Sequence, residues 1–257
     1  MFQDFKYLTE KFRIDETQLN EAQLMSRCFH LICSPRRCID LVQGVLARRQ
    51  AIQAKSIVSD VTKPVFVWEP VPDCCRPEEL ENTMQALKYV DVISPNHQEL
   101  STLFGSFDVG VDREQSDVNM ERECRELLSS GFGKRRGVVV VRCGERGCAI
   151  VIDDGITRIP AYHQVPAVGS GEKVVDPTGA GNAFLGGFCV GLLDHTSCKD
   201  KYMEGVIYGT IAASFAVEQV GLPKLGHAGD QELWNGESAL YRLENFRASL
   251  QIMGKSW

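Results

Sequence analysis

The sequence predicts an α/β domain with a mostly parallel central sheet. Short β-rich runs alternate with helical patterns along the 257 residues, and this order is typical of parallel strands joined by crossovers. Val138–Arg142 contains four consecutive valines, which suits a strand buried on both faces. Two further β-rich runs flank Asp153–Gly155 and predict one antiparallel hairpin. A chain of this length can bury a full core, so one domain over residues 1–257 is the simplest division.

The first part of the chain predicts three helices and three strands. Apolar residues at helical spacing, such as Ile39, Val42 and Leu46, indicate the helices. Prolines close the strands, since proline cannot donate to a strand ladder. The predicted elements are helix Asp15–Ser26, strand Phe29–Cys33, helix Arg36–Gln50, strand Val65–Trp68, helix Glu78–Tyr89 and strand Val90–Ser94.

The second part predicts the sheet's antiparallel end and then three helices. Two polar stretches that contain glycine, Gly105–Asn119 and Gly226–Gly236, are interpreted as surface loops. The predicted elements are strand Val138–Arg142, hairpin strands Ala149–Ile152 and Thr157–Ala161, and helices Gly179–Leu193, Lys199–Gln219 and Ser238–Leu250.

The composition is that of an ordinary soluble protein, with 44% hydrophobic and 24% charged residues. The net charge of −6 gives no electrostatic reason to expect nucleic acid or an anionic membrane as a partner. No apolar run approaches the roughly 20 residues that span a bilayer. The first residues, MFQDFKYLTEKFR, carry charges throughout and lack the apolar centre of a signal peptide. We therefore expect a cytoplasmic protein.

Neither the ten cysteines nor the five histidines show the spacing of a metal site. Cys28, Cys33 and Cys38 lie five residues apart rather than in a CxxC pattern, and Cys74–Cys75 is a vicinal pair. Secreted disulfide scaffolds are usually much shorter than this chain. Reduced thiols in the cytosol are the interpretation that we adopt.

The segment Asp176–Phe184, DPTGAGNAF, carries the strongest chemical signal. Gly179 and Gly181 permit a tight turn and close approach of a ligand. The apolar helix that follows must be buried, so its first amides are held rigidly at the positive end of the helix dipole, where they can bind a phosphate. A strand-to-helix turn without a ligand is the alternative. The segment fits neither the P-loop pattern nor the dinucleotide fingerprint GxGxxG.

With these residues in view, the chain resembles the PfkB, or ribokinase-like, carbohydrate and nucleoside kinases. DPTGAGNAFLGGF looks like the family's C-terminal signature, Asn96–Glu99 (NHQE) matches its NxxE motif, and Val138–Gly147 looks like the strand and turn beside the nucleotide. Three further segments, Trp68–Pro72, Asp91–Asn96 and Asp176–Asn182, are similar to the fungal maintenance-of-killer branch of that family. The resemblance implies a three-layer α/β/α fold.

The resemblance also implies ATP and Mg²⁺ as cofactors and a sugar or nucleoside as acceptor, and it assigns residues to roles. The implied sites are an anion hole at Gly179, Ala180 and Gly181, nucleotide contacts from Arg142, Gly144, Gly147 and Thr178, a magnesium and phosphate network at Asn96 and Glu99 with Asp176 as a further candidate, and the general-base position at Asn182.

Asn182 departs from the family pattern, which has an acid at this position. That acid takes the proton from the acceptor hydroxyl, whereas an amide cannot hold a proton near neutral pH. General-base assistance is typically worth about 10²–10⁴-fold in rate. We therefore expect a kinase with an impaired base; a catalytically inactive, nucleotide-binding scaffold or regulator is the alternative.

The length of the chain is a second departure. Complete family members begin with further strands, a glycine pair that binds the sugar, and the strands of a lid. We expect this domain to be shortened at its N terminus and to lack most of the residues that would select and enclose a sugar. The sequence indicates no acceptor, oligomeric state or protein partner.

Overall fold

The computed structural model describes residues 12–55, 62–106, 110, 112–165, 173–194 and 200–254. Its main sheet has six strands in the sequential order β1-β2-β3-β4-β5-β6. The first four strands run parallel, and the last two form an antiparallel hairpin beside them. The mostly parallel sheet with one hairpin is thus confirmed. The strands are β1 (Cys28–Cys33), β2 (Val65–Pro70), β3 (Val92–Ile93), β4 (Val138–Arg142), β5 (Cys148–Ile152) and β6 (Gly155–Ile159).

Helices cover both faces of this sheet. One face packs against the first five helices, and the other against the sixth to eighth. Val139 and Val141 point into the first core, while Val138 and Val140 point into the second, which explains why β4 is a continuous valine run. The three-layer arrangement is confirmed. The α-helices are α1 (Glu21–Leu24), α2 (Pro35–Gln53), α3 (Leu80–Ala86), α4 (His97–Leu103), α5 (Arg113–Leu127), α6 (Ala180–Asp194), α7 (Asp200–Ala216) and α8 (Ala239–Ile252).

The predicted helix Asp15–Ser26 is wrong as a continuous element. The chain instead forms a 3₁₀ turn at Glu16–Gln18 and then the single-turn helix α1. Asn20 interrupts the pattern because its side chain accepts a hydrogen bond from the Gln23 amide and starts a new helix. Such Asx caps compete with a continuous helix.

The two predicted loops are also wrong. Gly105–Asn119 contains the start of α5, where the Asp112 side chain accepts from the Gln115 amide and begins the helix; polar residues dominate its exposed side. Gly226–Gly236 forms a second hairpin with strands β7 (Leu225–Ala228) and β8 (Gln231–Trp234). Its turn contains Gly229 at φ +62°, a conformation that glycine adopts readily.

Glycines bring the backbones of α6 and α7 into direct contact. A Cβ placed on Gly187 of α6 would lie 2.6 Å from the Tyr208 carbonyl oxygen, and one on Gly209 of α7 would lie 2.7 Å from that of Phe184. A Cβ on Gly191 would lie 2.7 Å from the Glu204 carbonyl oxygen, whereas one on Gly205 would lie 2.8 Å from the Phe188 ring. The helix backbones are therefore in contact at Gly187, Gly191 and Gly209.

A buried polar network ties α8 and the second hairpin to the end of α7. Arg242 is 1% exposed, lies 3.7 Å from the ring centroid of Phe215, and pairs with Glu218 at 3.0 Å and with Glu237. His163 contacts the same Glu218 carboxylate at 3.4 Å. Burial lowers the pKa of His163 from its usual 6.5, which favours the neutral ring.

Within the described residues, no helix combines the length and the apolar character needed to cross a membrane.

Candidate active site

The start of α6 is built by the loop that precedes it. Gly179 has φ +83°, which turns the chain into the helix, and the Ala180 amide donates to the Pro177 carbonyl at 3.1 Å. The Asp176 carboxylate accepts from the Thr178 amide at 2.9 Å. Hydrogen bonds from the backbone and the hydroxyl of Thr178 lower the pKa of Asp176. The loop is thus shaped by its own side chains.

This loop is also anchored to α7. The amides of Val175 and Asp176 both donate to the Val217 carbonyl, at 2.8 and 3.1 Å. Asn182, in the first turn of α6, is exposed. The helix start is therefore held from behind and open on its outer side.

Arg142 lies against this helix start. A Cβ placed on Gly181 would lie 2.4 Å from Nη1 of Arg142, so the guanidinium occupies the space beside that glycine. Nη2 donates to Glu69 Oε1 at 2.8 Å, to the Ser94 carbonyl at 3.0 Å and to Glu99 Oε2 at 3.3 Å. The Arg142 side chain is only 12% exposed. The fold thus brings two carboxylates and one guanidinium to the amide end of α6.

The sheet places these side chains together. Glu69 lies near the carboxyl end of β2 and Arg142 is the last residue of β4. Asn96 follows β3, and its backbone bridges to Arg142. Ligand sites in open α/β sheets lie outside the carboxyl ends of the strands, and this cluster lies at that edge.

Asn96 and Glu99 form a capping box at the start of α4. The Asn96 side chain accepts from the Glu99 amide at 2.8 Å, and Glu99 Oε2 accepts from the Asn96 amide at 2.7 Å. Burial raises the pKa of Glu99, although the Asn96 amide and the Arg142 charge oppose the rise. The NxxE spacing therefore serves the helix start as well as the site.

Glu69 and His30 belong to the cluster, and the sequence analysis assigned a role to neither. His30 Nε2 lies 3.1 Å from Glu69 Oε2. Burial opposes ionisation of Glu69, but His30 and Arg142 outweigh it and hold the pKa of Glu69 below its usual value. The sequence does carry one signal that could have indicated a role for Glu69. It is the only acid in the apolar run Val65–Pro70, and a buried charge needs a partner.

The remaining predicted site residues lie in two turns. Gly147 follows β4 at φ +85°, and a Cβ there would lie 2.0 Å from the Ile159 carbonyl oxygen, so the backbone alone requires this glycine. Gly144 also has positive φ, at +57°. The nucleotide roles of Gly144, Gly147 and Thr178 stay predictions.

Known proteins with similar sequences define the family. The sequence pattern of the family described as "pfkB family carbohydrate kinase" matches residues 48–224, more than half of the chain. The chain belongs to this family. The resemblance stated from the motifs is therefore confirmed, and the cluster at the start of α6 lies in a PfkB domain.

Two curated relatives match nearly the whole chain. Protein MAK32 of Saccharomyces cerevisiae is 33% identical over 93% of this chain and 63% of its own length. An uncharacterized protein of Schizosaccharomyces pombe is 30% identical over 95% of this chain and 66% of its own length. These matches confirm the resemblance to the maintenance-of-killer branch of the family. This chain spans slightly less than two thirds of either relative.

A solved structure shows the same fold. Arabidopsis thaliana ribokinase complexed with ribose and ATP aligns with a TM-score of 0.51 and 18% identity, over 93% of this chain and 60% of its own. At this identity the likeness concerns the PfkB fold alone.

Proposed function

We propose that residues 1–257 form one PfkB domain that binds ATP with Mg²⁺ at the start of α6 and transfers its terminal phosphoryl group slowly to a sugar or nucleoside hydroxyl. The observation that carries this proposal is the Arg142 guanidinium packed on Gly181 beside Glu99. A basic group at a helix start suits a phosphate, because amide dipoles and guanidinium both favour negative charge. Gly179 and Gly181 would let the phosphate approach the backbone.

Magnesium fits this site as an ion held mainly by phosphate oxygens. Mg²⁺ keeps several waters and commonly uses one or two carboxylates, and Glu99 is the buried carboxylate beside the helix start. Within the described ranges no group of three histidines, cysteines or acids could hold a metal ion alone. Bound Mg²⁺ would neutralise phosphate charge; Glu99, oriented by Asn96, would reach its hydration shell, and Asp176 is a second candidate.

Asn182 sets the expected rate. It is exposed at the helix start, where the acceptor hydroxyl would lie, and its amide can orient that hydroxyl but cannot take its proton. Losing a base costs roughly 3–5 kcal/mol of barrier, while positioning and charge stabilisation still contribute. Slow transfer is the expected behaviour.

Asn182→Asp tests this assignment. ATP affinity is measured by calorimetry with Mg²⁺, and transfer by mass spectrometry with a panel of sugars, inositols and nucleosides. We expect wild type to bind ATP at least as tightly as the variant, because Asn182 adds no negative charge. We expect turnover to rise about 100-fold or more in the variant. Equal and fast turnover in both proteins would contradict an impaired base.

A nucleotide-binding scaffold is the second candidate, and Asn182 is the observation that favours it. ATP binding without transfer in both wild type and Asn182→Asp would support this function.

A cytoplasmic location is part of the proposal. The nine cysteines within the described residues are all free thiols, which agrees with a reducing compartment. Cell fractionation tests the location.

A further inference from the structure

The guanidinium of Arg142 occupies the space between two carboxylates and the start of α6. We propose that Arg142 is a fixed cation of the phosphate site, so that a polyphosphate group binds at Gly179–Gly181 without a divalent metal ion. This inference rests on the proposed function, since it concerns the same helix start. It goes further in one respect: the affinity for the polyphosphate group must depend on Arg142 even when no metal ion is present.

The hydrogen bonds of Arg142 leave one side of the guanidinium directed at the helix. A guanidinium carries five N–H donors. In the described part of the chain, the Arg142 contacts to Glu69, Glu99 and Ser94 all use Nη2, while Nη1 is the atom nearest to Gly181. The buried Nε has no hydrogen-bond partner there. Donor capacity thus remains on a group packed on the helix start.

The carboxylates hold this cation in place before any ligand arrives. Glu69 and Glu99 are each about one tenth exposed, at 11% and 10%, and His30 contacts the second oxygen of Glu69. Removing charges from water is costly, so these groups favour staying paired. Arg142 therefore does not have to be ordered when a ligand binds, and a preorganised cation costs less binding free energy.

Arg142 would supply at this site the positive charge that a metal ion supplies at other phosphate sites. Metal ions there neutralise the charge of the phosphate oxygens. Arg142 contacts both carboxylates through Nη2 and presents Nη1 to the helix start. Arginine also pairs with phosphate through parallel hydrogen bonds, which lysine cannot match. The chain therefore contains a permanent charge where an exchangeable ion would otherwise be required.

The test is calorimetric titration of the full chain with ATP and with inorganic tripolyphosphate, in EDTA and separately in Mg²⁺. We expect wild type to bind both ligands in EDTA. Arg142→Met should weaken binding in EDTA about tenfold or more, as expected for a lost charged hydrogen bond, and Arg142→Lys should fall between the two. Glu69→Gln should bind severalfold more tightly, because the amide oxygen of glutamine can still accept the hydrogen bond from Nη2 while one negative charge near the phosphate is removed.

Arg125→Met is the matched control. Arg125 lies on α5 and pairs with Glu121 at 2.8 Å, so the variant removes the same charge from an ion pair outside the site. Its affinity in EDTA should equal that of wild type. An equal loss in Arg125→Met and Arg142→Met would mean that only the general positive charge matters and would overturn the inference.

The outcomes separate this inference from the proposed function. If wild type binds ATP in Mg²⁺ but neither ligand in EDTA, the fixed cation is wrong while nucleotide binding stands. If ATP binds in neither buffer, the proposed function fails as well. Circular dichroism shows whether Arg142→Met folds; if it does not, Glu69→Gln decides, and an affinity in EDTA equal to or below that of wild type contradicts the inference.

Discussion

At the scale of single residues, the site depends on one guanidinium shared by two acids. The sequence predicted Arg142 and Glu99 because both stand within segments that resemble PfkB motifs. It did not predict Glu69 or His30, because their meeting depends on which strands are neighbours. In the parallel register of β1 and β2, Ile32 lies opposite Glu69, and His30 reaches the acid from two residues earlier. Spacing along the chain cannot show such a contact.

Glu69→Gln should reduce stability in a pH-dependent way. The pKa of Glu69 in the folded protein lies below its usual 4.5, so its ionised form stabilises the fold. That stabilisation is complete above pH 4.5 and is lost as the pH falls through the lowered value. At pH 7 we expect the variant to lose about 1–3 kcal/mol. Urea unfolding at several pH values should show this difference shrinking in acid; a constant difference would contradict the assignment.

Gly181→Ala should weaken polyphosphate binding, because its new Cβ would lie 2.4 Å from Nη1 of Arg142 and displace the guanidinium. Gly186→Ala is the control within the same helix, since no atom lies within 4 Å of a Cβ there. The control should keep wild-type affinity and gain roughly 0.5–1 kcal/mol of stability, because alanine favours a helix over glycine. Calorimetry and urea unfolding measure the two effects, and equal affinities in both variants would contradict the contact.

At the scale of elements, the sequence predicted those helices and strands that have a clear hydrophobic pattern and end at glycine or proline. The valines of β4 and the start of α6 were recognised because a strand buried on both faces and a turn rich in glycine before an apolar helix leave strong local signals. All of α5 was missed, because its many polar residues hide a buried side formed by Met120, Cys124 and Leu127. The hairpin of β7 and β8 was missed because its strands are short and mostly exposed.

Gly187→Ala should destabilise the fold through the contact between α6 and α7. The added methyl would lie 2.6 Å from the Tyr208 carbonyl oxygen, and a helix backbone cannot yield as a flexible side chain can. We expect a loss of about 1–3 kcal/mol, the usual cost of overpacking. Thermal or urea unfolding measures it, with Gly186→Ala again as the comparison. A variant as stable as that control would show that the helices can separate freely.

At the scale of the whole molecule, the two residues that follow α7 contact several distant parts of the chain. The Val217 carbonyl holds the loop before α6, and Glu218, the next residue, pairs with Arg242 of α8. His163, which follows β6, contacts the same acid. The residue after β6, the loop before α6 and helix α8 thus all contact Val217 or Glu218, two consecutive residues. No local pattern indicates this junction, because its members lie far apart in sequence.

His163 should make the stability of this junction sensitive to acid. Its pKa is lowered from 6.5 by burial, so the folded protein binds its proton less readily than the unfolded chain does. The stabilisation is present above pH 6.5 and is lost as the pH falls through the lowered value. His163→Gln should remove this part of the acid sensitivity. Urea unfolding between pH 7 and pH 5 measures it, and an unchanged pH profile in the variant would contradict the prediction.

The glycines between α6 and α7 have a mechanical consequence. Two helices whose backbones touch resist sliding and tilting, because main-chain atoms cannot move aside as the end of a flexible side chain can. The loop before α6 is hydrogen-bonded to Val217, the residue that follows α7, so we expect the loop, α6 and α7 to move together. A displacement of the outer surface of α7 would therefore reach that loop, and closure around a ligand would have to come from parts of the protein outside this pair.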